Sequence, residues 1–410
     1  MYKTKNKLFF FLTIITLAIL AIGLIDSVSA VDITIDSKTP GGLKKTIENA
    51  SNGDTIYLEN GVYSGKENTG LRIHRSITIS GKGSNVVIDA KIKDNIFNIA
   101  PDTKVTLKNL KLINGKSTGH GGAIYSQSSL IVSSCNFNNN QARKSGGAIS
   151  IHDSDGTLTV SGSIFANNKC DGIGGAIFGG RANRISVSDS IFTNNKAIRE
   201  GGAIYGRADL SSKHITGSTF TNNKAIREGG AIYGNGFTVN NSKFTNNEAK
   251  TNGGAIYIRS DESTAPSILR LNSVTFKNNI GGSEYNAISS RWNPKVYKNK
   301  VTITPADNTV VFSSNKADLT IAKVQKKGNY HHVTIKNIGK KATGNKFYLG
   351  VYDGTKKIKQ VLVNSLGAGK FTTVKVQIAK KYENNLKTFK ADSTNRIKES
   401  NKKNNSLKAR

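Results

Sequence analysis

Chemistry needs side chains that can hold a proton, a metal or a covalent bond, and this chain offers few in useful groups. Of 410 residues, six are His and two are Cys. His120 sits between Gly119 and Gly121, just before a Gly-Gly corner and with no paired carboxylates beside it. It reads as a turn histidine rather than a general acid or base. His152-Asp153-x-Asp155 and Asp261-Glu262 fall in insertions between strand-like runs. Either offers oxygens to Ca²⁺, but too few for the six to eight that ion takes, so both read as solvated loops. His331-His332 would point to opposite faces of a strand and lacks partner ligands. Two cysteines exclude a disulfide-stapled scaffold and a Cys-rich metal protein. Cys135 stands where later units carry Ser163, Ser190, Ser218 and Ser242, a small buried position. Cys170 reads as a loop residue at a different offset, and pairing between the two thiols stays open. Trp292 reads as packing, with sugar contact as the alternative. The sequence therefore assigns no catalytic, cofactor-binding or metal residue and implies no cofactor.

The elements that would position any site are set by a repeat. Gly-Gly-Ala-Ile starts at Gly121, Gly146, Gly174, Gly201, Gly229 and Gly253. Between these, and once after the last, stand Phe137/Asn140, Phe165/Asn168, Phe192/Asn195, Phe220/Asn223, Phe244/Asn247 and Phe276/Asn279. A period of about 26 residues means a solenoid. Within the unit the apolar residues alternate in two pairs separated by a two-residue step, as in Leu158, Val160, Ser163 and Phe165. That pattern predicts two short strands at a bend, with Gly-Gly-Ala-Ile-Tyr opening a third. Helical spacing is absent, and 45 Asn and 41 Gly disfavour helix interiors. The expected fold is all-β: a right-handed parallel β-helix in which equivalent residues stack rung on rung. Phe would form an internal file, Asn an amide ladder, and Gly-Gly a tight corner.

The repeat fades at both ends. Val105, Leu107, Leu110 and Leu112 match the repeat offsets upstream, and Gly42–Ala50 reads as an amphipathic cap. Downstream, Tyr285-Asn286-Ala287-Ile288 is a degraded corner, and Val310-x-Phe312 with Asn315 is a last half unit, giving about ten coils. From Asp318 alternating runs replace the repeat: Leu319-x-Ile321, Val333-x-Ile335, Phe347-x-Leu349-x-Val351, Val361-x-Val363 and Val374-x-Val376-x-Ile378. Some seven strands at this spacing predict a small immunoglobulin-like β-sandwich.

Lys3, Lys5 and Lys7 precede an apolar run from Leu8 to Ile25 and the small residues Val28-x-Ala30. The expectation is a signal peptide over 1–30, cut between Ala30 and Val31, with an uncleaved anchor as the rival. The domains are then 31–316, the β-helix, and 317–410, the sandwich. The full chain carries a net charge of +32. Such a surface attracts anionic polymers or lipid head groups, more weakly as salt rises. Nucleic acid is not expected as the partner of an exported chain. Asn49-Ala50-Ser51, Asn240-Asn241-Ser242 and Asn404-Asn405-Ser406 match the glycan acceptor triplet.

The paired Gly-Gly-Ala-Ile and Phe-x-x-Asn motifs over roughly 100–315 resemble the repeats of chlamydial polymorphic outer-membrane proteins. The same units occur in adhesin-like proteins of methanogenic archaea. Gly53-Asp54-Thr55-Ile56-Tyr57-Leu58 and Ser76-Ile77-Thr78-Ile79-Ser80-Gly81 look like the opening coils of right-handed β-helix proteins. Asp318-Leu319-Thr320-Ile321, Val333–Gly339, Tyr352-Asp353-Gly354 and Asn395-x-Ile397-x-Glu399-x-Asn401 resemble a CARDB (cell-adhesion-related) domain. The chlamydial proteins carry a C-terminal outer-membrane barrel that no segment here matches, so their export route is not carried over. Gly119-His120-Gly121 and Arg396-Ile397-Lys398 echo β-helix polygalacturonases, but they lie in different domains and lack the accompanying acids.

These resemblances imply an exported, non-enzymatic, adhesin-like protein, secreted or held at the cell surface or envelope. Its expected partner is a cell surface or an anionic polysaccharide, with envelope attachment left open. The alternative is a β-helix carbohydrate-active enzyme, a polysaccharide lyase or hydrolase.

Overall fold

The computed structural model describes residues 30–180, 182–207, 213–259, 267–282, 286–290, 294–304, 311–312, 317, 319–338, 342–382, 385–393, 397 and 405–409. The N-terminal part is a parallel β-solenoid of about nine turns. Among the described residues its strands align into four ribbons of 11, 10, 7 and 10 strands. The first face runs from Asp32–Ile35 to Lys295–Asn299. A phenylalanine face runs from Gly61–Ser64 to Thr302–Thr304, and a tyrosine face from Leu71–Ile73 to Val311–Phe312. Between the last two lies a short face of two-residue strands, from Lys116–Ser117 to Ile280–Gly281.

Each ribbon follows from what its column can share. Leu130, Leu158 and Ile185 are in register on the first face, as are Val132, Val160 and Val187. Phe137, Phe165, Phe192, Phe220, Phe244 and Phe276 form one buried file. Their ring centroids are 4.7–5.0 Å apart and their planes within 15° of parallel. That separation is close to the spacing between strands, so the rings stack with the backbone.

After each Phe an Asn-Asn pair turns the chain. The first Asn takes the left-handed conformation, φ 52–57° at Asn139, Asn167, Asn194, Asn222, Asn246 and Asn278. The second is buried and bonded along the axis. Asn195 Nδ2 donates to Asn223 Oδ1 at 2.9 Å and to Phe165 O at 2.9 Å, while Asn195 Oδ1 accepts from Asn168 Nδ2 at 3.0 Å. The ladder runs from Asn140 to Asn279. A serine file does similar work at the preceding corner. The Ser163 N–H donates to Ser190 Oγ at 3.1 Å, and the Ser163 hydroxyl donates to Ser161 O at 2.8 Å. Each corner thus satisfies polar groups that the strands leave over.

The Gly-Gly corner admits no side chain. Gly201 has φ +67°, and a Cβ there would lie 2.4 Å from Ile204 O. A Cβ on Gly202 would meet Gly230 O of the next coil at 2.0 Å.

Three details differ from the sequence-based expectation. The coil has four strands rather than three, because the Lys-Ala pair after the Asn turn forms its own ribbon. The third expected strand begins at the Ile of Gly-Gly-Ala-Ile, the glycines being corner. Val311–Phe312 pairs with Ser289-Ser290 on the tyrosine face, so it does not continue the phenylalanine file. Ile303 is the residue in register with Phe276 there. The helix Gly42–Asn49 closes the first coil as expected, burying Leu43 and Ile47.

The C-terminal part has its own apolar core. Leu319–Lys327, Tyr330–Asn337 and Phe371–Gln377 form one antiparallel sheet. Lys356–Val363, Phe347–Asp353, Lys387–Lys390 and Ser406–Ala409 form the other. Leu319, Ile335 and Val376 of the first and Phe347, Val351 and Phe389 of the second share that core. In chain order the strands pair as 1-2-5 and 4-3-6-7, an immunoglobulin-like sandwich.

Candidate functional site

The short face presents a repeated charge. Its two-residue strands put one side chain in and one out. Ala142, Cys170, Ala197, Ala225 and Ala249 are buried. Outward, Lys116, Gln141, Lys169, Lys196, Lys224 and Glu248 stand in register. Successive members are about 4.8 Å apart along the axis. Lys224 Nζ contacts Glu248 Oε2 at 2.8 Å, and Lys169 Nζ contacts Asp171 Oδ1 at 3.2 Å. On the adjoining corner Glu200 lies between Arg227 at 3.6 Å and Arg199 at 3.7 Å. The face and its corner, residues 116–120, 141–145, 169–173, 196–200, 224–228 and 248–252, hold nine Lys or Arg against four Asp or Glu. Exposed ion pairs offset little of the repulsion between stacked lysines, so the strip keeps a positive field.

Some candidate chemical residues lie where the sequence places them, and others do not. His120 and His152 come together, because His120 pairs by a bridge with Ser145 of the next coil. Ser145 Oγ lies 2.6 Å from His120 Nδ1, 2.9 Å from Ser150 Oγ and 3.3 Å from His152 Nε2. The two imidazole centroids are 4.2 Å apart. Ser145 and Ser150 are both buried, so the hydroxyls at the centre of this cluster offer a substrate carbonyl no approach. The pair continues an outer aromatic file instead. His152 packs on Phe178, followed by Tyr205, Tyr233 and Tyr257 at spacings of 5.0–5.4 Å. Burial raises the Tyr205 and Tyr233 phenols above their ordinary value.

Cys135 and Cys170 are both free and buried. Burial pushes each thiol up to about 12, far from a reactive thiolate. Cys170 is not in a loop: it faces inward on the short face, between Ala142 and Ala197. Cys135 lies at the serine corner, its N–H donating to Ser163 Oγ at 3.1 Å. His331 is buried against Phe389, and its neighbour His332 is half-buried on the other face. Asp153 Oδ1 accepts from the Asp155 N–H at 3.1 Å, a local turn. Among the described residues no group of three or more His, Cys, Asp or Glu converges as a metal site. Asp261, Glu262, Trp292, Arg396, Lys398 and Asn404 lie outside the described residues, as does the apolar run Leu8–Ile25. Val31 donates its N–H to Asp54 Oδ1 at 2.8 Å, just ahead of the first strand.

Sequence reasoning missed Lys213, which occupies the inward column below Ile185 with its Nζ 5.6 Å from the Phe237 ring centroid. It also missed the outer aromatic file, whose only signal is the Tyr or Phe that follows Gly-Gly-Ala-Ile.

Two family models match the chain. The Chlamydia polymorphic membrane protein repeat matches at residues 134–152, 189–207, 217–235 and 241–259. CARDB matches residues 306–409. Each repeat match runs from the corner before Phe, through the short face, to the tyrosine face. No curated protein matches the chain. The two matches fit a surface adhesin-like protein.

Proposed function

We propose that this chain, with its Chlamydia polymorphic membrane protein repeats and CARDB domain, is an exported, non-enzymatic adhesin that holds anionic polysaccharide of a cell surface or envelope. The observation that supports this reading is the in-register file Lys169, Lys196 and Lys224 on the short face. A regular row of cations on a stiff scaffold meets a regular polyanion at many points, and avidity comes from repetition. The basic C-terminal sandwich adds a second positive surface. Removal of residues 1–30 places Val31 at the start of the mature chain.

The test is binding of the mature protein to immobilised polyuronate and to a neutral polysaccharide at low and high salt. Polyuronate binding should fall steeply with salt, and Lys196→Gln with Lys224→Gln should weaken it further. Salt-independent binding, or equal retention on the neutral polymer, would reject the reading. Release of reducing ends or unsaturated products would favour the lyase or hydrolase alternative.

A further inference from the structure

We propose that a groove at the corner between the first and phenylalanine faces, near the capped end, is a binding subsite for a carboxylated sugar. This rests on the polyanion reading above and gives it a specific recognition point.

The corner is tight in the coils that follow. Asn109 and Ser134 turn it in the left-handed conformation, both at φ 54°. One coil earlier the chain leaves Gly81 and runs out through Lys82–Asn85 before the strand Val86–Asp89 begins. Gly81 cannot be replaced there, because a Cβ would lie 2.3 Å from Asn109 O. The excursion is tied down. Asn85 donates its N–H to Asn60 Oδ1 at 3.0 Å, Lys111 Nζ donates to Asn85 Oδ1 at 3.2 Å, and Lys82 pairs with Glu59 at 3.5 Å. It forms a ledge beside the corner column and leaves an open groove of about 430 Å³. That volume suits a small ligand or a short stretch of oligosaccharide.

The lining matches one ligand chemistry. Lys82, Ser84, Asn109, Lys111, Ser134 and Asn136 face the groove. Lys82 has Glu59 beside it, whereas Lys111 has no carboxylate partner among the described residues. Asn136 is in register with Lys111 on the next rung. Its Oδ1 is buried and closed to a ligand in the groove, so the reachable hydrogen-bonding groups are the exposed side chains of Asn109 and Ser134. A cation with no carboxylate beside it, next to an exposed amide and an exposed hydroxyl, favours a ligand that brings both a negative charge and hydroxyls. A uronate ring does so: its carboxylate meets Lys111, and its hydroxyls meet Asn109 and Ser134. A neutral sugar brings no counter-charge to Lys111, and an inorganic anion brings no hydroxyl to Asn109 and Ser134.

The test is calorimetric titration of the mature full chain with a trigalacturonate and with a neutral oligosaccharide of the same length. The trigalacturonate should bind and the neutral sugar should bind at least tenfold more weakly. Lys111→Gln, a substitution on an accessible strand end, should weaken trigalacturonate binding about tenfold. Lys196→Gln with Lys224→Gln should leave it unchanged while weakening long polyuronate. Equal affinity for both sugars, an unaffected Lys111→Gln variant, or no binding of the trimer overturns the groove. Loss of the trimer with retention of the polymer leaves the lysine file standing. Retention of the trimer without polymer binding supports the groove and removes the file.

Discussion

The clearest energetic statement concerns single members of the files. Phe192 is fully buried between Phe165 and Phe220, with centroids 4.8 Å away on each side. Phe192→Ala removes two stacking contacts and opens a cavity that a stacked backbone cannot close. We expect a loss of ~3–5 kcal/mol, measured by denaturant unfolding. A loss below about 1 kcal/mol would mean that the file is not closed. Such positions were legible because each file repeats one residue at a fixed distance from the Gly-Gly pair. Residues that act once were not. Lys213 takes an apolar column position, and nothing local in Lys213-His214-Ile215 marks it as internal. His120 and His152 meet because one rung brings them together across an insertion, and no periodicity encodes that approach.

Among elements, the first rung is held by a polar clasp. The Asp54 carboxylate accepts the Ser51 N–H at 2.7 Å and the Val31 N–H at 2.8 Å. These bonds, that from Ser51 first, hold its pKa below the ordinary 3.8. The folded value lies below the unfolded one, so the carboxylate stabilises the fold above pH 3.8 and loses that contribution as pH falls through the depressed value. Asp54→Asn should therefore lower stability at neutral pH, with the gap to the parent narrowing below about pH 4. Unfolding monitored across pH 2–7 checks this, and a constant gap would contradict it. The short face shows where element reading stops. Two residues, one in and one out, give no measurable alternation, so Lys196-Ala197 reads as loop although it forms part of a ribbon. The terminal Val-x-Phe failed for the opposite reason: it resembles the motif of one face but pairs on another.

Over the whole molecule, the solenoid and the sandwich each have their own core, with no residue in common among the described residues. The solenoid core is built from near-neighbour coils, and the sandwich core from two antiparallel sheets. Calorimetry of the intact chain should give two separable transitions, and Lys-to-Gln changes in the sandwich should leave the solenoid transition in place. One merged transition that shifts as a unit would refute this. Both architectures were legible from the change of period near Asp318, because a repeat of constant length and a run of hairpins leave different signatures. Charge was legible as a total but not as a location. Only the pairing register turns scattered lysines into a row.

The stretches 192–206 and 220–234 are identical in sequence and lie directly on one another. Loss of residues 192–219 would bring the Phe165 rung onto a phenylalanine in the same sequence setting as the one removed. A change of one such unit would alter the length of the solenoid by one coil, about 4.8 Å. Two coils that share one interior make the height of this stack separable from the packing inside it.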